Sequence, residues 1–225
     1  MELDADQSAA FGARTHRRRN EAGRVASADE EPGVLPEMTV TDAREPSRRL
    51  ALGPGVMAVA AAAALVLTII AGGLAGYRVN LTSSEPLGVW RIRSLDRPAA
   101  VGDLVFICPP LTPAIRAAWE RGYLRSGLCP GGYAPLIKTI VATAGQRIHI
   151  DRSVTIDGVA LSHSALSPKD GQGRPMMTAF ADGEVGTGEV FLHSAFVGSF
   201  DSRYFGPVPA SGILGLAQEV LTYAP

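Results

Sequence analysis

The chain has 225 residues and a formal net charge of −1, from 21 Lys and Arg against 22 Asp and Glu. A balance so close to neutral gives no whole-molecule field of the kind that attracts nucleic acid, so no nucleic-acid partner is expected. The charges are unevenly spread: residues 1–49 carry both signs densely and residues 50–77 carry none. The stretch that follows, residues 78–225, is long enough for one globular domain with a core.

The N-terminal third divides into a polar tail and an apolar run. Residues 1–49 contain Arg17–Arg19, Asp29–Glu31 and few large apolar residues, which is typical of a disordered segment. Residues 50–77 then predict one transmembrane helix, because about 20 apolar residues span a bilayer core, and Pro54 suits its first turn. A cleavable signal peptide is the competing interpretation. The apolar run is long for one, and the tail far exceeds the usual basic n-region.

The flanking charges predict an orientation for this helix. Arg44, Arg48 and Arg49 precede it, and only Arg78 lies immediately beyond. By the positive-inside rule the tail is cytoplasmic and residues 78–225 lie outside. We therefore expect a single-pass protein of the inner membrane, with the bilayer as a partner and a periplasmic domain.

Two cysteines, Cys108 and Cys129, lack the further Cys or His spacing of a zinc site, and neither a metal nor a cofactor is predicted. If the domain lies outside the cytoplasm, a disulfide that closes the loop between them is the natural interpretation. Two buried thiols are the alternative.

Residues 78–225 are predicted to form a mainly β domain. Pro113 and Thr112 place the start of a short helix that ends before Gly122, inside the loop between the cysteines. Residues 162–187 are polar and rich in Gly, Pro and Ser, and predict a surface insertion. Apolar alternation and β-branched runs predict strands, including a hairpin that turns at Asp157-Gly158. These segments are 89–93, 102–107, 136–142, 145–150, 154–161, 189–193 and 213–222.

Only two lysines occur in the chain, and every other basic side chain apart from histidine is arginine. Lys138 interrupts the apolar strand 136–142. Burial would lower its pKa and allow the neutral amine to act as a general base. The alternative is an edge-strand lysine whose head reaches water. Lys169 lies in a turn and is predicted to be solvated.

The segment 80–88 offers three hydroxyls, on Thr82, Ser83 and Ser84, ahead of a Pro and a Gly that restrict the backbone. A serine beside a neutral lysine forms a Ser–Lys dyad, one of the known nucleophile-and-base pairs. The sequence predicts Ser84 as nucleophile and Lys138 as its base. A histidine base is the alternative, but the four histidines lack a partner motif, and His149, His163 and His193 are predicted to hold surface or sheet-face positions.

A third polar cluster spans residues 199–207. Asp201 and Arg203 share one side of an extended strand if the backbone alternates, and can then form a pair that fixes it. The alternative is a turn with a surface ion pair of little energetic value.

The three clusters resemble, in order and spacing, the signal peptidase I superfamily of membrane-anchored serine proteases (serine peptidase family S26), over about residues 77–223. The nucleophile segment and the paired cysteine motifs resemble its conjugative-transfer branch, the TraF-like pilin-processing peptidases. Two departures are Ala144-Gly145-Gln146, where the family usually has Pro-Gly-Asp, and Thr139, where a basic residue is common. The matching motifs are Asn80-x-Thr82-x-Ser84-x-Pro86-x-Gly88, Val101–Phe106, Cys108-Pro109-Pro110, Cys129-Pro130-Gly131-Gly132, Pro135–Lys138 and Ser199-x-Asp201-Ser202-Arg203-Tyr204-x-Gly206.

The resemblance implies a role for each matched residue. Ser84 is the nucleophile and Lys138 the general base. Thr82 helps the Ser84 N–H to form the oxyanion hole, which leaves Ser83 as a spacer that points away from the cleft. Ser199 orients the lysine amine. Two residues of the C-terminal motif form a pair that supports the site, namely Asp201 and Arg203.

The resemblance also implies a mainly antiparallel β domain after one membrane helix, and a function. The chain would be a signal peptidase that cleaves signal peptides from exported precursors and matures a conjugative pilin, by hydrolysis or by cyclisation. Its partners would be such precursors and components of a conjugation or type IV secretion system. Two alternatives stay open: a general type I signal peptidase, and a non-catalytic membrane-anchored subunit of a secretion system.

Overall fold

The structure is a computed structural model that describes residues 53–224. The expectations for the tail, residues 1–49, lie outside the described residues. Within them the chain forms three α-helices, Pro54–Leu74 (α1), Pro113–Glu120 (α2) and Ser202–Phe205 (α3). It also forms eleven strands: Tyr77–Asn80 (β1), Leu87–Arg93 (β2), Leu104–Ile107 (β3), Leu136–Thr143 (β4), Arg147–Ile150 (β5), Val154–Ile156 (β6), Val159–Ala160 (β7), Asp182–Glu184 (β8), Glu189–His193 (β9), Val208–Pro209 (β10) and Ile213–Tyr223 (β11).

Helix α1 is the apolar element expected to cross the membrane. Its 21 residues carry no charge, and none of them is buried against the rest of the described chain. At 1.5 Å per residue it is about 31 Å long, which matches a bilayer core. It is shorter than the predicted span 50–77 because Gly76 adopts φ +88° and Tyr77 already pairs in β1. Arg78 donates to the Gly73 carbonyl at 2.8 Å and satisfies one of the last helical oxygens.

The domain after α1 is built on two antiparallel sheets. One has seven strands in the order β1-β2-β11-β3-β4-β9-β10, and the other has four in the order β7-β6-β5-β8. Strand β11 lies between β2 and β3, where Gly88 at φ +131° is needed because a Cβ there would collide with the Leu221 carbonyl. The predicted fold class, a mainly antiparallel β domain after one apolar helix, is confirmed.

Three apolar clusters hold these elements together. The largest packs α2 and α3 against one face of the seven-stranded sheet, with Ile115 and Phe205 facing Ile140 and Leu192. A second joins the end of β4 to the smaller sheet. A third covers the opposite face of the larger sheet around Trp90. The inner strands β3, β4 and β9 therefore bury most of their apolar side chains.

Most predicted elements are present, with boundaries shifted by a few residues. Thr112 caps α2 by accepting from the Ile115 N–H at 3.3 Å, and Asp157 and Gly158 form the hairpin turn with φ +50° and +78°. The segment 162–187 differs from its expected role as a plain surface insertion. It contributes β8 to the smaller sheet and folds back over the domain.

Candidate active site

Lys138 lies in the middle of β4, between β3 and β9, and its side chain is only 2% exposed. The edge-strand alternative is thereby excluded. Its Nζ atom lies 2.9 Å from the Ser84 Oγ and donates to it in the protonated form. The two residues are 54 positions apart, so the sheet brings together two groups that the sequence keeps distant.

The surroundings lower the pKa of Lys138 to about 8. Burial is the largest cause, because the ammonium loses its hydration. The carboxylates of Asp201 and Glu85 oppose this by favouring the charged form, and Arg203 adds to the decrease. A substantial fraction of the amine is therefore neutral near pH 8, and a neutral amine can accept the proton of Ser84.

Asn80 holds the segment that carries Ser84. Its side-chain amide donates to the carbonyls of Thr82, Glu85 and Pro86 at 3.0, 2.9 and 3.0 Å. Its side-chain oxygen accepts from the Thr82 N–H at 3.0 Å and from the Thr82 hydroxyl at 2.7 Å. One buried side chain thus closes the turn around Ser84. The motif quoted above contains Asn80, but sequence reasoning gave it no role.

The two hydroxyl residues that precede Ser84 occupy different surroundings. Thr82 is half-buried and donates to Asn80, while the N–H of Ser84 makes no hydrogen bond to another residue within 53–224. That N–H is therefore available to an oxyanion. Ser83 is exposed and lines the same cavity as Thr82 and Ser84, and the direction of its side chain stays a prediction.

Ser194, just after β9, connects the nucleophile to the supporting pair and was missed from the sequence. Its hydroxyl donates to the Ser84 carbonyl at 2.5 Å, and its N–H donates to the Asp201 carboxylate at 3.1 Å. A lone serine between a strand and a loop gives no sequence signal for such a role. Burial raises the pKa of the neighbouring Glu85 carboxyl, and Lys138 and Ser194 oppose that increase.

Asp201 and Arg203 form a fully buried pair, with both side chains 0% exposed. Two parallel hydrogen bonds join them, Nε to Oδ1 at 2.8 Å and Nη2 to Oδ2 at 2.9 Å. The expectation of an extended strand was wrong: Asp201 caps the N-terminus of α3, and its carboxylate accepts from the Arg203 N–H. The alternative of a surface ion pair is also excluded. Arg203 further donates to the carbonyls of Ala165 and Ser199, which ties the segment 162–187 to the site.

Two buried polar side chains near Lys138 lack partners among the described residues. Ser199 lines the catalytic cavity, but its Oγ is buried and makes no hydrogen bond within 53–224, so its lysine-orienting role stays a prediction. His193 was expected to be a satisfied surface or sheet-face residue, but it is 4% exposed and its Nε2 has no partner in the same range. Burial lowers the pKa of His193, which keeps it neutral.

Two cavities meet at the dyad. The first, the catalytic cavity, has a volume of about 540 Å³ and lies between the segments 82–84, 167–176 and 196–200, with Lys138 in its wall. The second, the inner cavity, measures about 210 Å³ and runs along β1 and the start of β4. Both include Thr82, Ser84 and Lys138. A polypeptide that lay across the Ser84 hydroxyl would thus contact walls on both sides of it.

The structure joins Cys108 and Cys129 in a disulfide, with the Cα atoms 5.5 Å apart. The closed loop contains α2 and delivers Tyr123 and Leu124 to the wall of the catalytic cavity. Lys169, predicted to be solvated, is exposed but also stands at the rim of that cavity.

Comparison with known proteins identifies the family. Residues 52–222 match the family described as signal peptidase, peptidase S26. The chain belongs to this family. The resemblance noted from the motifs is therefore confirmed, including its conjugative-transfer branch, to which the relatives below point.

The chain matches three relatives over nearly the whole length of each relative. The chain is 60% identical over 191 residues to a probable conjugal transfer protein TraF of Sinorhizobium fredii, covering 85% of this chain and 99% of the relative. It is 54% identical to the conjugal transfer protein TraF of Agrobacterium fabrum, covering 72% and 93%. It is 40% identical to a plasmid transfer protein TraF of Escherichia coli, covering 74% and 94%.

Proposed function

We propose that this protein is a membrane-anchored serine endopeptidase that uses Ser84 and Lys138 to remove signal peptides from exported precursors in conjugative transfer. The observation that carries the proposal is the 2.9 Å approach of the Lys138 Nζ to the Ser84 Oγ, with the lysine buried and its pKa lowered. A subunit without catalytic activity would have no evident use for a buried, partly neutral lysine aimed at a serine.

The reaction follows from this geometry. Neutral Lys138 accepts the hydroxyl proton as the Ser84 Oγ bonds to the scissile carbonyl carbon. The Ser84 N–H, with Thr82 beside it, stabilises the negative oxygen that develops. The peptide C–N bond then breaks, and the Lys138 ammonium returns its proton to the departing amine. An acyl-enzyme on Ser84 remains. Its ester is released by water, or by an amine of the substrate's own chain, which would close a ring.

The position of Ser84 suits a substrate anchored in the membrane. Strand β1 starts three residues after α1 ends, and its four residues span about 13 Å. A precursor held by its own apolar signal segment would present its cleavage site at a similar height. With the tail in the cytoplasm, this site would face the periplasm, where the disulfide between Cys108 and Cys129 can persist.

The substrate class is proposed from the relatives. Three of them are named as conjugal or plasmid transfer proteins, so the precursor of a conjugative pilin is the substrate that we propose. Components of the same transfer system would then be its partners. The inner cavity, with its limited volume, favours small residues in the part of the precursor that lies along β1.

The test compares neighbouring serines in cells that express the pilin precursor. Ser84→Ala should leave the precursor unprocessed, whereas Ser83→Ala, one residue away in the same cavity wall, should keep processing close to that of the unaltered protein. Immunoblots of the precursor and mature forms measure both. Normal processing by Ser84→Ala, with expression matched, would remove the basis of the proposal.

A further inference from the structure

A third cavity, the side cavity, opens beside the catalytic cavity. Its volume is about 300 Å³, near the lower end for small-ligand pockets, roughly 300–1,000 Å³. Its lining is almost wholly apolar. The lining includes Ala114, Ala117, Ala118, Met177, Phe200 and Tyr204.

Small side chains on α2 create the space. Ala114, Ala117 and Ala118 line one wall, so the helix presents methyl groups where longer side chains would fill the volume. Ala117 and Met177 are exposed, the latter at 76%, so a ligand can reach the cavity from outside. The disulfide between Cys108 and Cys129 closes the loop that carries this helix.

The opposite wall includes residues 176–179, which directly follow a turn at residues 168–176 that we name the insertion hairpin. Its backbone pairs Lys169 with Pro175. Two hydrogen bonds fasten it to the end of α2: Arg121 donates to the Pro175 carbonyl at 2.9 Å, and Arg174 donates to the Arg121 carbonyl at 3.1 Å. The hairpin thus holds the wall at a fixed distance from the helix.

A buried carboxylate strengthens this attachment. Asp170 accepts from the Tyr123 hydroxyl at 2.6 Å and from the Arg174 Nε at 2.6 Å. The Tyr123 hydrogen bond is the main reason that the pKa of Asp170 is held below its usual value. The carboxylate therefore keeps its charge, and with it both hydrogen bonds, to a lower pH than an ordinary aspartate would.

The side cavity adjoins the catalytic cavity. Tyr123, Met176, Phe200 and Tyr204 line both, and the Phe200 and Tyr204 rings stack with centroids 5.9 Å apart. We expect a polypeptide bound across Ser84 to pass this shared wall, so that one of its side chains can enter the side cavity from the exposed edge at Ala117 and Met177. An apolar side chain suits the lining, since a charged one would lose its hydration there.

We propose that the side cavity is a substrate subsite that takes one large apolar side chain, such as Leu, Met or Phe, of the precursor lying in the catalytic cavity. The proposal rests on the proposed function, since it assumes that a polypeptide occupies that cavity. The disulfide loop then carries one wall of this subsite, and the insertion hairpin fastens to the end of α2 the chain that continues into the other wall.

The first experiment measures binding, so that it needs no catalysis. The full chain in detergent micelles, as Ser84→Ala, is titrated with a fluorescent peptide spanning the cleavage site of the pilin precursor, and with copies in which each large apolar residue becomes Ala. One copy should bind about ten- to a hundredfold more weakly. Ala117→Trp, added to this protein, fills the subsite. It should weaken the binding of the unaltered peptide by a similar factor. It should hardly change the binding of the alanine copy that already lacks the large apolar side chain.

Arg116→Trp is the matched control. It places the same ring at the exposed position directly before Ala117 on α2, and Arg116 does not line the side cavity. It should leave every affinity unchanged. Met177→Asp changes an exposed position in the wall, where a substitution should not disturb folding. It should weaken the binding of the same peptides as Ala117→Trp does. Equal affinities for Ala117→Trp and Arg116→Trp, or a loss that is the same for every peptide, would overturn the subsite.

A second arm separates this proposal from the proposed function. The same two tryptophan variants, with Ser84 intact, are assayed for precursor cleavage. Cleavage that Ala117→Trp leaves unchanged would contradict the subsite and leave the peptidase standing. Selective binding without any cleavage would retain the subsite and remove the peptidase. Neither binding nor cleavage of any peptide would overturn both.

Discussion

The protonation state of Lys138 should control the rate of the proposed reaction, because only the neutral amine can accept the Ser84 proton. With its pKa lowered to about 8, we expect kcat/KM to fall about tenfold per pH unit below that value and to level off above it. A rate profile over pH with purified protein measures this. A flat profile from pH 6 to pH 9 would mean that no such group controls the chemical step.

The same profile tests the influence of Glu85. Its carboxylate raises the pKa of Lys138, so Glu85→Gln should lower that pKa and move the acid limb of the profile to lower pH. Asp182→Asn, an exposed carboxylate on β8 in the other sheet, should leave the limb in place. A shift to higher pH in Glu85→Gln would contradict the assigned sign.

Asn80 makes a separate prediction about position rather than charge. Asn80→Ala removes three hydrogen bonds to loop carbonyls and both acceptor contacts with Thr82, so Ser84 should lose its fixed place. We expect kcat to fall about a hundredfold, with KM little changed. Asn80→Asp keeps the acceptor for Thr82 but turns a carboxylate oxygen toward the three carbonyls, so its kcat should fall as well. Unchanged kcat in Asn80→Ala would show that the turn holds its shape without this side chain.

Sequence patterns located Ser84 and Lys138 because each is unusual in its setting: a hydroxyl before a Pro turn, and a lysine inside an apolar strand. Asn80 and Ser194 were missed because nothing local marks them. Their importance lies in contacts with backbone groups, and for Ser194 the partner carbonyl is 110 residues away. Such contacts depend on the fold, so no pattern along the chain reveals them.

At the scale of elements, the pair of Asp201 and Arg203 holds α3 beneath the site. Asp201→Asn would leave a buried guanidinium without its counter-charge, and we expect a loss of about 3–5 kcal/mol in the free energy of unfolding, measured in urea. Asp103→Asn breaks the more exposed ion pair with Arg97, and the free energy of unfolding should fall much less. Equal losses for the two variants would contradict the role of burial.

The elements themselves were largely predictable. Alternation predicts β2 and β5, the apolar run Val190–Leu192 predicts β9, and the Thr-Pro start with a closing Gly predicts α2. Strands β8 and β10, of three and two residues, are too short for a period to emerge. The segment 199–206 was misread because α3 has only four residues, and Asp201 acts as a helix cap rather than as a strand residue. Residues 162–187 are polar, so the sequence did not predict that this segment lines the catalytic cavity and the side cavity.

For the whole molecule, the proposed cleavage of exported precursors requires the domain and the tail to lie on opposite sides of the membrane. The proposed orientation follows from the arginines before α1. Alkaline phosphatase fused after Ala224 should be active in the periplasm, and the same enzyme fused ahead of α1, at Arg49, should be inactive. The reverse pattern would place the site on the wrong side for exported precursors.

The central claim is that Ser84 and Lys138 act as one unit. The most direct measurement is a cleavage-rate cycle with the full-length protein in lipid vesicles, comparing Ser84→Ala, Lys138→Met and the double variant on the pilin precursor. Because removing either partner abolishes the same step, we expect all three rates to fall to one common residual level. Losses that multiply in the double variant, or cleavage retained by either single variant, would contradict the dyad.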